Sequence, residues 1–339
     1  MRSLALMVND YQFWMGGILA TQLEEITDDP KKVDQGGFWA TLVSFEGAYT
    51  FARFSKIEKK GFPQTQWEPV RTSWDSSLNR QSYLDYVSVI RESISLGGVY
   101  QVNACRELRN KIESGSLTLD GLFSKLLLEN PAPYASYLNI PGIEIASASP
   151  ELFLSRSGSV IKTSPIKGTI QENEETFGDK DKAENLMIVD LMRNDLGRIC
   201  NPGTVEVTEL FRNEAHPGLV HLVSDVTGEL KEEITWVEIF SATTPPGSVS
   251  GAPKSAATSM IHKVEGERGP YCGALGWING SDALLSVAIR TFWKRDDEVL
   301  RFGTGAGITW GSDPELEWAE TQLKARKLIS IAGGALGDF

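Results

Sequence analysis

The 339 residues carry 45 acidic and 33 basic side chains, a formal charge of −12, with 41% hydrophobic and 23% charged residues. That length can bury a large core, as one domain or two lobes, and the acidic balance argues against nucleic acid as a main partner, because phosphate binding needs a basic face. A small anionic substrate stays open, since a few cations or a metal reverse the local field.

Three cysteines, Cys105, Cys200 and Cys272, form no C-x-x-C pair and read as reduced thiols. The opening run, MRSLALMVND, is too short for the core of a signal peptide. No stretch reaches the ~20 apolar residues of a membrane span. A soluble cytoplasmic protein without a membrane or nucleic-acid partner is expected.

Residues 1–75 are rich in turns and aromatics, with short strand-like runs such as GAYTFARF, and show nothing catalytic. The polar, proline-bearing KKGFPQTQWEPVRTSW places a lobe boundary or linker near residues 60–78. From Asn79, Tyr83, Val87, Ile90 and Ile94 recur at steps of four, three and four, one apolar stripe on a helix. Gly97-Gly98 ends it and VYQVNACREL follows as a strand. TLDGLFSKLLLEN reads as a helix stopped by Pro131. YASYLNI, IEIASAS, ELFLSRSGSVIKTS and DALLSVAIRTFW read as strands. Two late helices follow: DKAENLMIVDLMRND, with acidic residues in its first turn, and SDPELEWAETQLKARKLIS, opening on Asp313 as N-cap and Pro314. The order is no regular βαβ alternation, so an α+β fold of antiparallel-rich sheets flanked by helices is expected.

Two glycine-rich stretches imitate nucleotide motifs and fail on detail. GTGAG, residues 303–307, has its third glycine one place early; in GSVSGAPKS, Pro253 stands where glycine must precede the lysine. His216, His221 and His262 lack metal-ligand spacing. The carboxylates say more. Asp181 and Glu184 share a face of one late helix, Glu317 and Glu320 a face of the other, with Lys324 one turn on. If the two pairs face each other, unit charges at ~4 Å repel by ~4 kcal/mol at an effective dielectric of 20. All-oxygen donors without histidine or cysteine then point to Mg²⁺.

SPEL (149–152), PIKGT (165–169), DKAENLMIVDLMRNDLGR (181–198), HLVSDVTGEL (221–230), PPGSVSGAPK (245–254), GPYCGALGW (269–277), AIRT (288–291) and GAGITWGSDPELEWAET (305–321) follow one another in order. Together they resemble the chorismate-binding enzymes: anthranilate synthase component I, aminodeoxychorismate synthase component I, and the isochorismate and salicylate synthases. The match runs from about residue 80 to 332, which implies a chorismate-binding catalytic domain over 76–335, and residues 1–75 look like a shortened form of the family's N-terminal region.

The resemblance implies Glu184 and Glu320 as Mg²⁺ ligands, with Asp181 and Glu317 in the layer behind them. It places Arg290, Tyr271, Lys324 and the backbone of Gly305, Ala306 and Gly307 around the enolpyruvyl carboxylate of chorismate. Arg290 also fits on physical grounds, because a guanidinium fork pairs bidentately with a carboxylate. It sets His221 and Ser248 beside the ring, with Gly168 and Thr169 among the substrate contacts and Glu151 as the general acid for the departing hydroxyl.

Two positions divide the family. Isochorismate and salicylate synthases carry a water-activating lysine where this chain has Gln101, an amide without a basic nitrogen. Anthranilate synthases typically have alanine at position 167 and aminodeoxychorismate synthases lysine, so Lys167 looks like a nucleophile of the latter kind. The resemblance thus points to aminodeoxychorismate synthase component I, with anthranilate synthase component I as the alternative, and implies a separate glutaminase subunit as ammonia donor. An amine attacks only when neutral, and a lysine of pKa near 10.4 is neutral in fewer than about one molecule in a thousand at pH 7. A drop of ~3 units costs about 4 kcal/mol, which burial can supply. The scheme needs Lys167 depressed and Glu151 raised.

Overall fold

In the computed structural model of the chain, residues 11–112, 118–171, 176–216 and 219–337 are described; the apolar start, residues 1–10, lies outside them. The chain opens with the hairpin β1 (Gln12–Met15) and β2 (Ile18–Thr27), a short helix α1 (Pro30–Val33), and the hairpin β3 (Phe38–Val43) and β4 (Tyr49–Lys59). After β5 (Asp75–Ser76) comes α2 (Arg80–Ser95), capped by Asn79 Oδ1, which accepts from Ser82 N at 2.9 Å. Tyr83, Val87 and Ile90 are its buried stripe, and Gly97, at φ 75°, supplies the left-handed turn that ends it.

β6 (Gln101–Lys111), α3 (Asp120–Glu129), β7 (Ser136–Ile140), β8 (Ile143–Ser147), β9 (Leu152–Ser157), β10 (Val160–Ser164) and β11 (Ile166–Gln171) lead to α4 (Asp179–Ile199). β12 (Glu206–His216), β13 (Leu219–Glu229), α5 (Trp236–Thr243), β14 (Gly251–Ala252) and α6 (Lys254–Glu265) come next. The chain closes with β15 (Ala274–Asn279), β16 (Asp282–Val287), β17 (Thr291–Arg295), β18 (Val299–Ile308) and α7 (Pro314–Ala332). Asp313 caps α7, its Oδ1 accepting from Glu315 N and Leu316 N.

The strands pair antiparallel throughout, in one unbroken succession. Beginning at β6 it runs β18, β17, β8, β7, β1, β2, β4, β3, β15, β16, β9, β10 and β13. β14 extends the β6 end, and β11 and β12 lie along β13. Residues 11–59 thus enter the middle of this ribbon, β1 against β7 and β3 against β15. This is the expected α+β fold with an antiparallel-rich sheet.

One expected strand divides. DALLSVAIRTFW becomes β16 and β17, broken at residues 288–290, where Arg290 takes φ 52°. The break carries the chain from pairing with β9 and β15 to pairing with β8 and β18. One apolar core joins Phe13, Trp39, Leu196 and Phe240; a second gathers Trp74, Phe123, Phe292 and Phe302 beneath α3 and α7. Among the described residues no helix is long and apolar enough to cross a membrane.

Candidate active site

The floor of the site is a strip of glycine. Gly303, Gly305 and Gly307 alternate along β18, so they share one face. A Cβ on Gly303 would lie 2.2 Å from the Tyr271 ring, one on Gly305 2.4 Å from Cys105 Sγ, and one on Gly307 2.6 Å from Gln101 Nε2. Only glycine allows such an approach. Ala306, between them, is buried and pairs with Ala104, so its side chain turns to the opposite face and only its backbone is offered here.

Lys167 reaches this floor from the other end of the ribbon. Its Nζ comes within 3.6 Å of where a Gly307 Cβ would stand and donates to Ser248 O at 2.8 Å. The register of β11 on β13 shifts between Ile166 and Thr169, an irregularity that aims the lysine out of the ladder. Gly168, at φ 89°, lies so close to α4 that a Cβ would meet Asp181 Cβ at 2.9 Å. The Thr169 backbone pairs with His221; its side chain lies outside the described residues.

Glu151 is 4% exposed. Ser248 and Ile166 lie close enough to its carboxylate to favour the charged form, while Oε1 has no partner among the described residues. Burial pushes its pKa up, against the Ser248 hydroxyl, Lys167 and Arg290, which pull it down. Lys167 moves the opposite way: burial lowers its pKa against the raising influence of Glu151, Glu184 and Glu320. One residue, Ser248, therefore touches both. Arg290, also lowered by burial, sets Nη2 3.4 Å from Nε2 of the buried His221. Gln101 is 1% exposed and its Oε1 has no partner among the described residues.

The carboxylates come from α4 and α7. Glu184 is raised chiefly by burial, and further by the charges of Asp181 and Glu320; Glu317 is raised by burial and by Glu320. Burial raises Glu320, but Lys324, whose Nζ sits 2.6 Å from its Oε1, acts with Lys167 and Lys180 to leave its pKa lowered. The Lys324 ammonium donates to Gly305 O at 3.1 Å, joining α7 to the glycine floor. Lys180 lies 3.8 Å from Glu184 Oε1. Among the described residues no three of these groups gather into a ready-made metal cluster. The donor chemistry nonetheless fits a hard divalent cation: oxygens only, on two helices whose mutual repulsion two lysines offset.

Tyr271 lies further along the strip, over Gly303, stacked on Trp293 at 6.4 Å between centroids and 4° between planes. Cys105, Cys272 and Arg268 are its charged or polar neighbours. Sequence reasoning missed two features. The Ser248 carbonyl as the acceptor for Lys167 has no signature, being backbone; Lys180, four residues before Glu184, was signalled by its spacing.

A scan against protein families matches the chorismate binding enzyme model over residues 33–330. Anthranilate synthase component 1 of Saccharolobus solfataricus is 40% identical over 273 residues, covering 77% of this chain and 64% of the relative. Anthranilate synthase component 1 of Haloarcula marismortui is 35% identical over 86% of this chain and 63% of its own length. Aminodeoxychorismate synthase component 1 of Escherichia coli K12 is 33% identical over 82% of this chain and 63% of its own. The chain thus spans a little under two thirds of these relatives. The crystal structure of anthranilate synthase component I from Streptococcus pneumoniae TIGR4 superposes at TM-score 0.80 with 22% identity, covering 97% of this chain and 93% of that one. The menaquinone-specific isochorismate synthase of Escherichia coli does so at 0.81 with 16% identity, over 98% and 91%; at these identities the likeness is one of fold. A family match across nearly the whole sequence, on the fold that these solved structures share, makes this chain a member of the chorismate-binding enzymes.

Proposed function

We propose that the protein is an aminodeoxychorismate synthase component I, converting chorismate and ammonia to 4-amino-4-deoxychorismate. The observation that carries this reading is Lys167 opposite Glu151 in one buried space, the amine shifted down and the carboxyl shifted up. That is the arrangement a nucleophile and an acid need at neutral pH.

Neutral Lys167 Nζ forms a bond to C2 of the chorismate ring; both ring double bonds shift, C1=C2 to C1=C6 and C5=C6 to C4=C5, and the C4–O bond breaks. Glu151 gives its proton to the departing oxygen, which leaves as water. Ammonia then bonds to C4, both double bonds shift back, and the C2–N bond breaks, returning the lysine amine. The new ammonium passes one proton to Glu151 carboxylate, which restores the acid. Covalent catalysis divides one hard substitution into two easier ones. Arg290 would pair with a substrate carboxylate. Glu184 and Glu320 would hold Mg²⁺, with Asp181 and Glu317 behind them, and the ion would bind the ring carboxylate and neutralise its charge. Gln101, lacking a basic nitrogen, supports addition of ammonia over water.

The component I names of the relatives support a separate glutaminase as ammonia donor. A second reading, anthranilate synthase component I, is favoured by the identities of 35–40% to proteins of that name. The two differ in the fate of the enolpyruvyl group. Incubation with chorismate, Mg²⁺ and ammonium separates them: retained enolpyruvyl on an aminated product supports the first reading, stoichiometric pyruvate the second.

A further inference from the structure

The loop of residues 244–253 joins α5 to α6 and brings Ser248 to both reacting side chains. Its two ends are closed on each other: Lys254 Nζ donates to Thr243 O at 3.3 Å. The same ammonium donates to Asp195 Oδ2 at 2.7 Å, and Asp195 is buried. A lysine at the first position of α6 opposes the helix dipole, and no acidic residue shares that first turn. Its charge is met from α4 instead. Asp195 follows Glu184 by eleven residues, about three helical turns, so both project from one side of α4.

Between these anchors the loop has little freedom. Ser250 Oγ donates to Pro246 O at 3.0 Å, and Arg268 Nη1 donates to Val249 O at 2.9 Å. A Cβ on Gly247 would lie 2.5 Å from Leu191 Cδ2 and Met192 Cε. Lys167 Nζ then bonds the carbonyl just before Val249.

We propose that the Lys254–Asp195 ion pair is a positioning element of the reaction, fixing the Ser248 carbonyl and hydroxyl and through them the aim of Lys167 and Glu151. This rests on Lys167 and Glu151 being the reacting groups. A tie that served folding alone would affect melting; one that sets the aim of the nucleophile affects turnover at constant substrate affinity.

The test uses the full chain with chorismate, Mg²⁺ and ammonium. D195N/K254M replaces the pair by neutral side chains of similar size, so no buried charge is stranded. A folded double variant is expected to keep KM for chorismate within about twofold while kcat falls about 10²-fold, the scale of a misplaced reacting group. Asp195→Glu keeps the charge and lengthens the tie by one methylene; it serves where the double variant does not fold, with kcat down about tenfold at unchanged KM. Wild-type kcat in either folded variant, or a change in KM with kcat untouched, overturns the proposal. The wild-type product is identified first. A product that lacks the new amine or has lost its enolpyruvyl group refutes the functional reading, while the kcat–KM comparison, scored on that product, still decides the positioning.

Discussion

Replacing Gly307 with alanine asks where the reaction space lies. The added methyl would stand 2.6 Å from Gln101 Nε2 and 3.6 Å from Lys167 Nζ. Ordinary contact begins near 3.4 Å, so the amide must retreat by about 0.8 Å into a close-packed interior. Gln101 has rotatable bonds to give, which puts the stability cost at the overpacking scale, about 1–3 kcal/mol. The effect on rate is larger. A displacement of about 1 Å beside the nucleophile costs about 10²-fold in turnover. The assay is kcat and KM with chorismate and ammonium, beside a thermal melt. The expected result is kcat down about 10²-fold with Tm lowered by only a few degrees. Gly303→Ala is the contrast: its methyl would meet an aromatic ring backed by Trp293, which cannot yield, so melting suffers first. A G307A protein with wild-type kcat and a lowered Tm would show that this glycine serves packing alone and that the chemistry happens elsewhere.

Lys167→Met removes a buried amine at nearly constant volume, so Tm holds or rises, while turnover falls by at least about 10³-fold, as for loss of a covalent nucleophile; chorismate binding by equilibrium titration stays within a few-fold, and unchanged turnover would end the covalent scheme. The pH profile of log kcat/KM is predicted to be a bell narrower than that of unshifted groups: its acid limb breaks above 4.5, where Glu151 ionises, and its alkaline limb below 10.5, where Lys167 loses its proton. Between the two breaks the productive form, neutral lysine with protonated glutamate, is a constant minority; K167A should erase the alkaline break and E151Q the acid one. Glu317→Gln should weaken Mg²⁺ activation about 10–100-fold, as outer-layer changes do, with kcat largely recovered at saturating metal. Glu320→Gln should lose rate that added Mg²⁺ does not restore, and equal metal dependence in both variants would contradict the assignment of ligand and outer layer.

Local signals in the sequence foretold local structure well. Asn79 and the Asp313-Pro314 pair mark helix starts because a side-chain cap and a fixed φ act within four residues. Lys167, Glu151, Gln101 and the glycines at 305 and 307 were legible through family motifs, and the structure brings them to one space. The division of DALLSVAIRTFW was not legible, because alternation continues through Ala288 and Ile289 and the left-handed turn at Arg290 answers to pairing partners far along the chain. The succession of strands was hidden for the same reason: β1 meets β7 and β3 meets β15 across more than a hundred residues, and no window of sequence records that. Tyr271 was assigned beside Arg290 by motif; its neighbours over Gly303 are Cys105, Cys272 and Arg268.

The insertion of residues 11–59 at mid-ribbon bears on how the protein can be trimmed. Cutting at the polar stretch near residue 60 would strip partners from β7 and β15 together and leave two bare hydrogen-bonding edges in the centre of the molecule. Such a fragment would retain every side chain of the proposed site and yet be prone to self-association, so the early strands act as the seam that keeps the remainder monodisperse.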